Sequence, residues 1–272
     1  MNLVTILSQL EARDAESYDK FLFSRRQLLK TTALAAGTTG LLATTLNKAF
    51  AADSEVVDVL NFALLLEYLE AEFYATALSK GGLIPGSDQP VFAQIAQHEQ
   101  QHVAFLKAAL GGSAIPKPVF DFTGGGLFPG VFTEYGTFLV VAQSLEDLGV
   151  RAYKGQAPKL LGNREVLLSA LKIHSVEARH AGEVRLIRGL RVWTSEQETG
   201  GAPAAVYAGE NELRVWGPID LPPLVSAKLL GRDEDRGTLT ERVVRESLDE
   251  PLTREQVLAI AGRFVPSSPV RD

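Results

Sequence analysis

The sequence predicts an all-α fold: a four-helix bundle of two helical hairpins joined by a long crossover, followed by an irregular C-terminal extension with a short helix. Three observations support this fold class. Four segments repeat apolar residues at helical spacing, the links within each hairpin are short, and the middle connection is too rich in Gly and Pro to be helical. With 272 residues of ordinary globular composition, the chain can bury a substantial core.

The first hairpin is predicted from residues 53–80 and 91–110. Asp53 or Ser54 can cap its first helix, because a short oxygen side chain accepts hydrogen bonds from the free N–H groups of a first turn. The Gly- and Pro-rich residues 111–131 then form the crossover.

The second hairpin is predicted from residues 133–157 and 163–191, with Asn163 as the cap of its second helix. Glycine lowers helical propensity, and the third helix contains Gly136, Gly149 and Gly155. Residues 192–239 sustain no period, so we expect loops there. A last short helix is predicted over 253–262, where Thr253 and Gln256 have capping-box spacing.

Three regions follow from this pattern: a signal peptide over residues 1–51, the bundle over 52–191 and the extension over 192–272. The signal is predicted from paired Arg25 and Arg26, a short apolar run and a small-residue cleavage pattern ending at Ala51.

The paired arginines resemble the twin-arginine export motif, which predicts a periplasmic or extracellular protein. An ordinary secretory signal or an uncleaved anchor is the alternative. The apolar run, residues 31–46, is short for a membrane span, so no stable span is expected after processing.

Composition excludes several classes of function. Net charge is −6 and no long Lys/Arg-rich block occurs, so nucleic acid is not an expected partner. The chain has no Cys, which excludes disulfides, thiolate catalysis and metal sites built on Cys. Any metal must therefore be held by His, Asp, Glu or Tyr.

The histidines carry the strongest motif. The chain has only four, all on the second and fourth predicted helices: His98, His102, His174 and His180. Two of them follow a glutamate by three residues, in the pairs Glu99–His102 and Glu177–His180. Three residues make nearly one helical turn, so each pair projects from one face and can ligate the same or adjacent ions.

The first and third predicted helices carry the same pattern of a glutamate and a tyrosine. Glu67 and Glu146 each have a tyrosine seven residues later, Tyr74 and Tyr153, two turns along the same face. The two hairpins therefore look like an internal repeat of ligands.

These patterns predict a site for two divalent metal ions, held by Glu67, Glu99, His102, Glu146, Glu177 and His180. Four carboxylates neutralise the four charges of such a pair, and burying them without metal would be costly. Oxygen donors with imidazole suit iron or manganese and leave positions open for oxygen or peroxide.

Two positions stay open at this stage. Glu70 shares the face of Glu67 one turn later and competes with it, although the spacing to Tyr74 favours Glu67. His98 lies one turn before His102 and is either a neighbour of the ligands or exposed, with exposure favoured.

The order Glu, Glu-x-x-His, Glu, Glu-x-x-His resembles the ferritin-like di-metal carboxylate proteins. The stretches 60–74, 115–122 and 249–260 are similar to exported ferritin-like domain proteins, which include plant desiccation-related proteins. This resemblance implies terminal carboxylates at Glu67 and Glu146, bridging carboxylates at Glu99 and Glu177, nitrogen ligands at His102 and His180, and carboxylate-orienting hydroxyls at Tyr74 and Tyr153.

The expected function is a redox protein that reacts with oxygen or hydrogen peroxide, as an oxidase, peroxidase or catalase, in oxidative or desiccation stress. The alternative is a non-catalytic protective or interaction module whose metal is structural or absent, with residues from 192 onward as its working surface. An iron-storage shell is less favoured because of the long chain after the fourth helix. A homodimer is left open.

Overall fold

The computed structural model describes residues 54–194, 199–210 and 246–266; the predicted signal peptide, residues 1–51, lies outside them. Within these ranges the secondary structure is entirely helical. Its α-helices are α1 (Ser54–Ser79), α2 (Gln89–Leu110), α3 (Tyr135–Gln156), α4 (Arg164–Ile187) and α5 (Arg254–Ala261). Single turns of 3-10 helix occur at Gly111–Ser113, Ala157–Leu160, Ala204–Tyr207 and Gly262–Phe264. The predicted all-α bundle is confirmed.

The bundle consists of two helical hairpins, since α1 packs along α2 and α3 packs along α4. One end of its core is aromatic. Phe73 stacks on Phe138 with ring centroids 5.2 Å apart, and Phe92 meets Phe138 edge-on at 4.9 Å. Burial of such large apolar rings holds the hairpins together across the crossover. No helix among the described residues is both long enough and apolar enough to cross a membrane.

Local signals set the helix ends. The Asn163 side chain accepts a hydrogen bond from the Val166 N–H and so begins α4. The predicted capping box at Thr253 is present at the start of α5. α4 ends at Ile187, earlier than the predicted residue 191, because Gly189 has a φ of 67° and lets the chain turn back on the helix.

Two of the three glycines in α3 lie where the packing leaves too little room for a side chain. A Cβ on Gly155 would collide with the carbonyl oxygen of Leu252, where the extension crosses the helix. A Cβ on Gly149 would lie 3.0 Å from a carboxylate oxygen of Glu177, inside the bundle. By contrast, Gly136 faces open space, with no atom within 4 Å of such a Cβ.

A buried arginine fastens the extension to the bundle. Arg151, on α3, donates hydrogen bonds to the carbonyl oxygens of Val206 (2.5 Å), Ala208 (2.7 Å) and Glu250 (2.6 Å). Its guanidinium also pairs with the carboxylate of Glu210 at 2.8 Å. Because these partners come from both described parts of the extension, one side chain holds both against α3.

A second buried arginine ties α3 to α4. Arg185 pairs with Asp147 through Nη2 and Oδ2 at 2.5 Å, and both side chains are about 1% exposed. The Tyr207 hydroxyl donates to the same Asp147 oxygen at 2.6 Å, which adds the extension to this contact. Asp147 therefore faces away from its neighbour Glu146, as a helix turning 100° per residue requires.

Candidate metal centre

The six predicted ligands converge inside the bundle, one or two from each of α1 to α4. Glu67, Glu99, Glu146 and Glu177 are 0% exposed, and His102 and His180 are 9% and 4% exposed. Each Glu-x-x-His pair points inward as one face of its helix, as the three-residue spacing requires.

The side chains form two overlapping groups, each with ligand atoms within 4.8 Å of one another. One group is Glu67, Glu99, His102 and Glu177; the other is Glu99, Glu146, Glu177 and His180. Glu99 and Glu177 belong to both groups. Each remaining glutamate is paired with one histidine, so the arrangement is symmetric about the two shared carboxylates.

In the first group, one imidazole nitrogen faces three carboxylates. His102 Nδ1 lies 3.0 Å from Glu67 Oε2, 3.1 Å from Glu99 Oε2 and 3.2 Å from Glu177 Oε1. A single N–H cannot satisfy three acceptors well. Donor atoms held at right angles about 2.1 Å from a common cation lie about 3 Å apart, so these spacings fit a coordination shell.

The second group shows the same crowding without hydrogen bonds. His180 Nδ1 lies 2.8 Å from Glu99 Oε1 and 3.3 Å from Glu146 Oε2. Nevertheless, these three atoms and both oxygens of Glu177 are buried and form no hydrogen bond. Buried polar atoms without partners are costly, and a cation shared by these atoms would satisfy all of them at once. The donor set and its geometry therefore fit metal ions.

The two tyrosines contact the ligand carboxylates crosswise between the hairpins. The Tyr74 hydroxyl donates to Glu146 Oε1 at 2.5 Å, and the Tyr153 hydroxyl donates to Glu67 Oε1. Each tyrosine thus meets the glutamate of the other hairpin, although the sequence relates it to the glutamate on its own helix. In both cases the hydroxyl orients one carboxylate oxygen and leaves the other to face its histidine.

Glu70 is buried beside the two groups but belongs to neither of them. The structure therefore brings Glu67 to the cluster as the α1 member. A Cβ on Gly149 would lie 3.2 Å from Glu70 Oε1 and 3.0 Å from Glu177 Oε2, so the glycine leaves room for both carboxyl groups. Sequence reasoning read Gly149 only as a weak helix former, because its role depends on contacts between helices.

His98 is half-buried and contacts the His180 imidazole, so of the two alternatives it is a neighbour of the predicted ligands rather than an exposed residue. Its Nδ1 lies 2.9 Å from His180 Nε2 and the two rings stack, with centroids 5.1 Å apart. The other nitrogen of His98 lies 2.8 Å from Gln94 Nε2 on the exposed side of α2. Sequence reasoning missed Gln94, although it lies one turn before His98. His98 holds the outer nitrogen of His180 and leaves Nδ1 for the cluster.

Burial and mutual repulsion raise the pKa of two of the acids, while neighbouring imidazoles lower the pKa of a third. Burial raises the pKa of Glu67 to about 7, and burial with repulsion from Glu99 and Glu67 raises the pKa of Glu177 well above its usual range. Burial opposes ionisation of Glu99 too, but the neighbouring imidazoles of His102 and His180 outweigh it and lower the pKa of Glu99 to about 2. Burial lowers the pKa of His180, yet Glu146 and Glu99 more than compensate and raise it to about 11.

A comparison with known protein families assigns the chain to one of them. The sequence model of the ferritin-like domain family matches residues 55–190, which span all four helices of the bundle. The chain belongs to the ferritin-like domain family. A search of curated proteins gave no match.

Membership of the ferritin-like domain family confirms the predicted resemblance at the level of the family. In this ferritin-like protein, the buried Glu and His side chains form a cluster that could bind metal ions. The match ends at residue 190, so the extension lies beyond the family's domain. The twin-arginine signal and the desiccation-related branch remain predictions.

Proposed function

We propose that this ferritin-like protein binds two iron or manganese ions and uses them to react with oxygen or hydrogen peroxide outside the cytoplasm, in protection against oxidative or desiccation stress. One observation carries the proposal: two ligand groups share Glu99 and Glu177. Carboxylates shared by two ligand groups could hold two cations close together, so Glu99 and Glu177 would serve both ions. When bound, such a pair supplies electrons to, or accepts them from, an oxygen substrate.

The residues of the chain would perform the remaining tasks. Glu67 and His102 would hold one ion, Glu146 and His180 the other, and the shared carboxylates would bridge them. Reduction of hydrogen peroxide to two waters consumes two electrons and two protons. Glu70 is buried near Glu177 and belongs to neither ligand group, and we propose that its carboxyl group would exchange protons with a substrate.

Activity assays on the metal-loaded protein test the catalytic part. We expect consumption of hydrogen peroxide that depends on iron or manganese, and we expect Glu70→Gln to keep its metal but lose at least about tenfold of the rate. Glu165→Gln, an exposed residue at the start of α4, is the matched control and should retain the rate.

The alternative, a protective module with a structural metal, gives a different result. The metal-loaded protein would then show no turnover of peroxide or oxygen, while removal of metal by a chelator would still lower its melting temperature. This combination would contradict the catalytic proposal and support the alternative.

Export is a separate part of the proposal, supported by the order of residues 24–51. Replacing Arg25 and Arg26 together by Lys should leave an unprocessed precursor in the cytoplasm, because the twin-arginine route is read from the arginine pair. Equal export of the variant and the wild-type chain would contradict that route.

A further inference from the structure

The two histidines of the cluster differ in what holds their outer nitrogens. His180 Nε2 lies 2.9 Å from His98 Nδ1, and the two rings stack within 11° of parallel. The other ring nitrogen of His98 lies 2.8 Å from the side-chain amide of Gln94. By contrast, the outer nitrogen of His102 has no hydrogen-bond partner in the described part of the chain. The two ligand groups therefore have the same donor types but different surroundings.

The sequence shows where this difference comes from. The two Glu-x-x-His pairs occupy equivalent positions in the two hairpins, so the residues beside them can be compared directly. The residue immediately before the glutamate is His98 in α2 but Val176 in α4. A valine side chain has no hydrogen-bonding atom, so the equivalent position of α4 cannot hold the outer nitrogen of His102. The ligands repeat between the hairpins, but the support of the histidine does not.

Ligation through Nδ1 fixes the direction of the hydrogen bond between His180 and His98. A neutral imidazole that gives the lone pair of Nδ1 to a cation carries its proton on Nε2. That N–H donates, so Nδ1 of His98 accepts, and His98 carries its own proton on the nitrogen that faces Gln94. The amide oxygen and nitrogen of Gln94 exchange places by rotation, so Gln94 can accept this proton. His98 thus holds His180 in the tautomer that leaves Nδ1 for a cation.

We propose that His98 is a positioning residue that makes the two ion positions unequal: an ion beside His180 binds first and more tightly, and an ion beside His102 binds second. This inference rests on the metal binding proposed above and adds an order to it. Groups that hydrogen-bond to a ligand histidine change metal affinity about 10- to 100-fold, so we expect the two affinities to differ at least about tenfold. A chelator should then remove the ion beside His102 first.

Two variants of similar size separate the hydrogen bond from the packing of the ring. His98→Asn keeps an acceptor, because its Oδ1 is attached to the same side-chain atom as Nδ1 of histidine, whereas His98→Leu removes it. Calorimetric titration of the metal-free wild-type protein with manganese should show two steps at least about tenfold apart. His98→Leu should weaken the tighter step about tenfold and so close the gap, while His98→Asn should keep most of it. Equal losses in both variants, or no loss in His98→Leu, would overturn the inference.

Anomalous-difference maps of crystals loaded with less manganese than protein identify which position fills first. The peak beside His180 should be the larger one in the wild-type protein, and His98→Leu should remove its excess over the peak beside His102. Equal peaks in the wild-type protein, or a larger peak beside His102, would overturn the order of binding and leave the proposed function standing. A bundle that takes up no manganese even at full loading would overturn both.

Discussion

At the scale of single residues, the cluster depends on side chains that the ligand pattern alone does not include. Tyr74 and Tyr153 cross between the hairpins to orient Glu146 and Glu67, and Gly149 leaves space for Glu177 and Glu70. Each of these contacts joins helices that are distant in sequence. The geometry of the centre is therefore a property of how the two hairpins meet.

Gly149→Ala tests whether this space is needed. The added methyl group would press on Glu177 and Glu70, and we expect metal affinity to fall at least about tenfold. Gly136→Ala, in the same helix but facing open space, should keep its metal and gain up to about 1 kcal/mol of stability. Metal content during competition with a chelator and unfolding in urea measure the two effects. Equal metal affinity in both variants would contradict this role of Gly149.

For single residues, the sequence predicted which side chains share a helical face better than it predicted contacts between different helices. The spacing Glu99–His102 and Glu177–His180 predicted which side chains share a helical face, because the α-helix fixes that relation locally. The same reasoning left Glu67 and Glu70 open, since both lie on one face and only the opposite helices decide which reaches the cluster. The contact of His98 with His180 joins α2 to α4 and has no local signature.

At the scale of elements, two buried arginines hold the second hairpin and the extension together. Arg185 joins α4 to α3 through Asp147, while Arg151 joins α3 to the extension. Asp147 and Glu146 are adjacent in sequence and point to different partners. The rotation of α3 that turns Glu146 toward the cluster also brings Asp147 to Arg185.

Arg185→Met tests how much the buried pair of Arg185 and Asp147 contributes to the stability of the fold. It leaves Asp147 charged and buried without its cation, so we expect the free energy of unfolding to fall by about 3–5 kcal/mol. Lys117→Met breaks the exposed pair with Glu72, whose nitrogen and oxygen lie 2.5 Å apart, and should cost less than about 1 kcal/mol because water screens it. Urea unfolding compares them, and similar losses in the two variants would show that the buried pair has no special role.

The helices themselves were largely predictable, because caps and breakers act locally. Asn163, Thr253 and the glycines after α1 and α2 marked the ends correctly to within about two residues. The exception was the end of α4, where Gly189 turns the chain earlier than the apolar pattern suggests. The contacts that hold the extension on the bundle were not predictable in detail. Arg151 binds backbone carbonyl oxygens there, and every residue carries such a group, so the sequence does not mark which ones it contacts.

At the scale of the whole molecule, folding forces acidic groups together in the absence of metal. At the cluster, four buried carboxyl groups have raised pKa values, because burial and mutual repulsion favour their protonated forms: Glu67, Glu70, Glu146 and Glu177. The electrostatic balance of the fold therefore varies with pH and with the presence of cations.

Stability of the metal-free protein should fall as pH rises from about 5 to about 9. An acid whose pKa is raised in the folded state, such as Glu67 at about 7, stabilises the fold only while it is protonated. A histidine whose pKa is raised, such as His180 at about 11, also contributes less as pH rises above its unfolded value. The low pKa of Glu99 changes nothing in this range.

Thermal unfolding at several pH values measures this trend. Replacing Glu67 and Glu177 together by Gln should flatten the slope, while the exposed replacement Glu165→Gln should leave it unchanged. Bound metal should reverse the trend, because cations compete with protons for the same side chains. A metal-free wild-type protein that is equally stable across the whole range would contradict the electrostatic description of the cluster.

We propose that two cations bind between the four helices and share Glu99 and Glu177. Anomalous-difference maps of crystals of the iron- or manganese-loaded protein, recorded on both sides of each absorption edge, test it most directly. We expect two peaks about 3.5–4 Å apart, one beside His102 and one beside His180. Loaded crystals with peaks only at the protein surface, or with none inside the bundle, would contradict it.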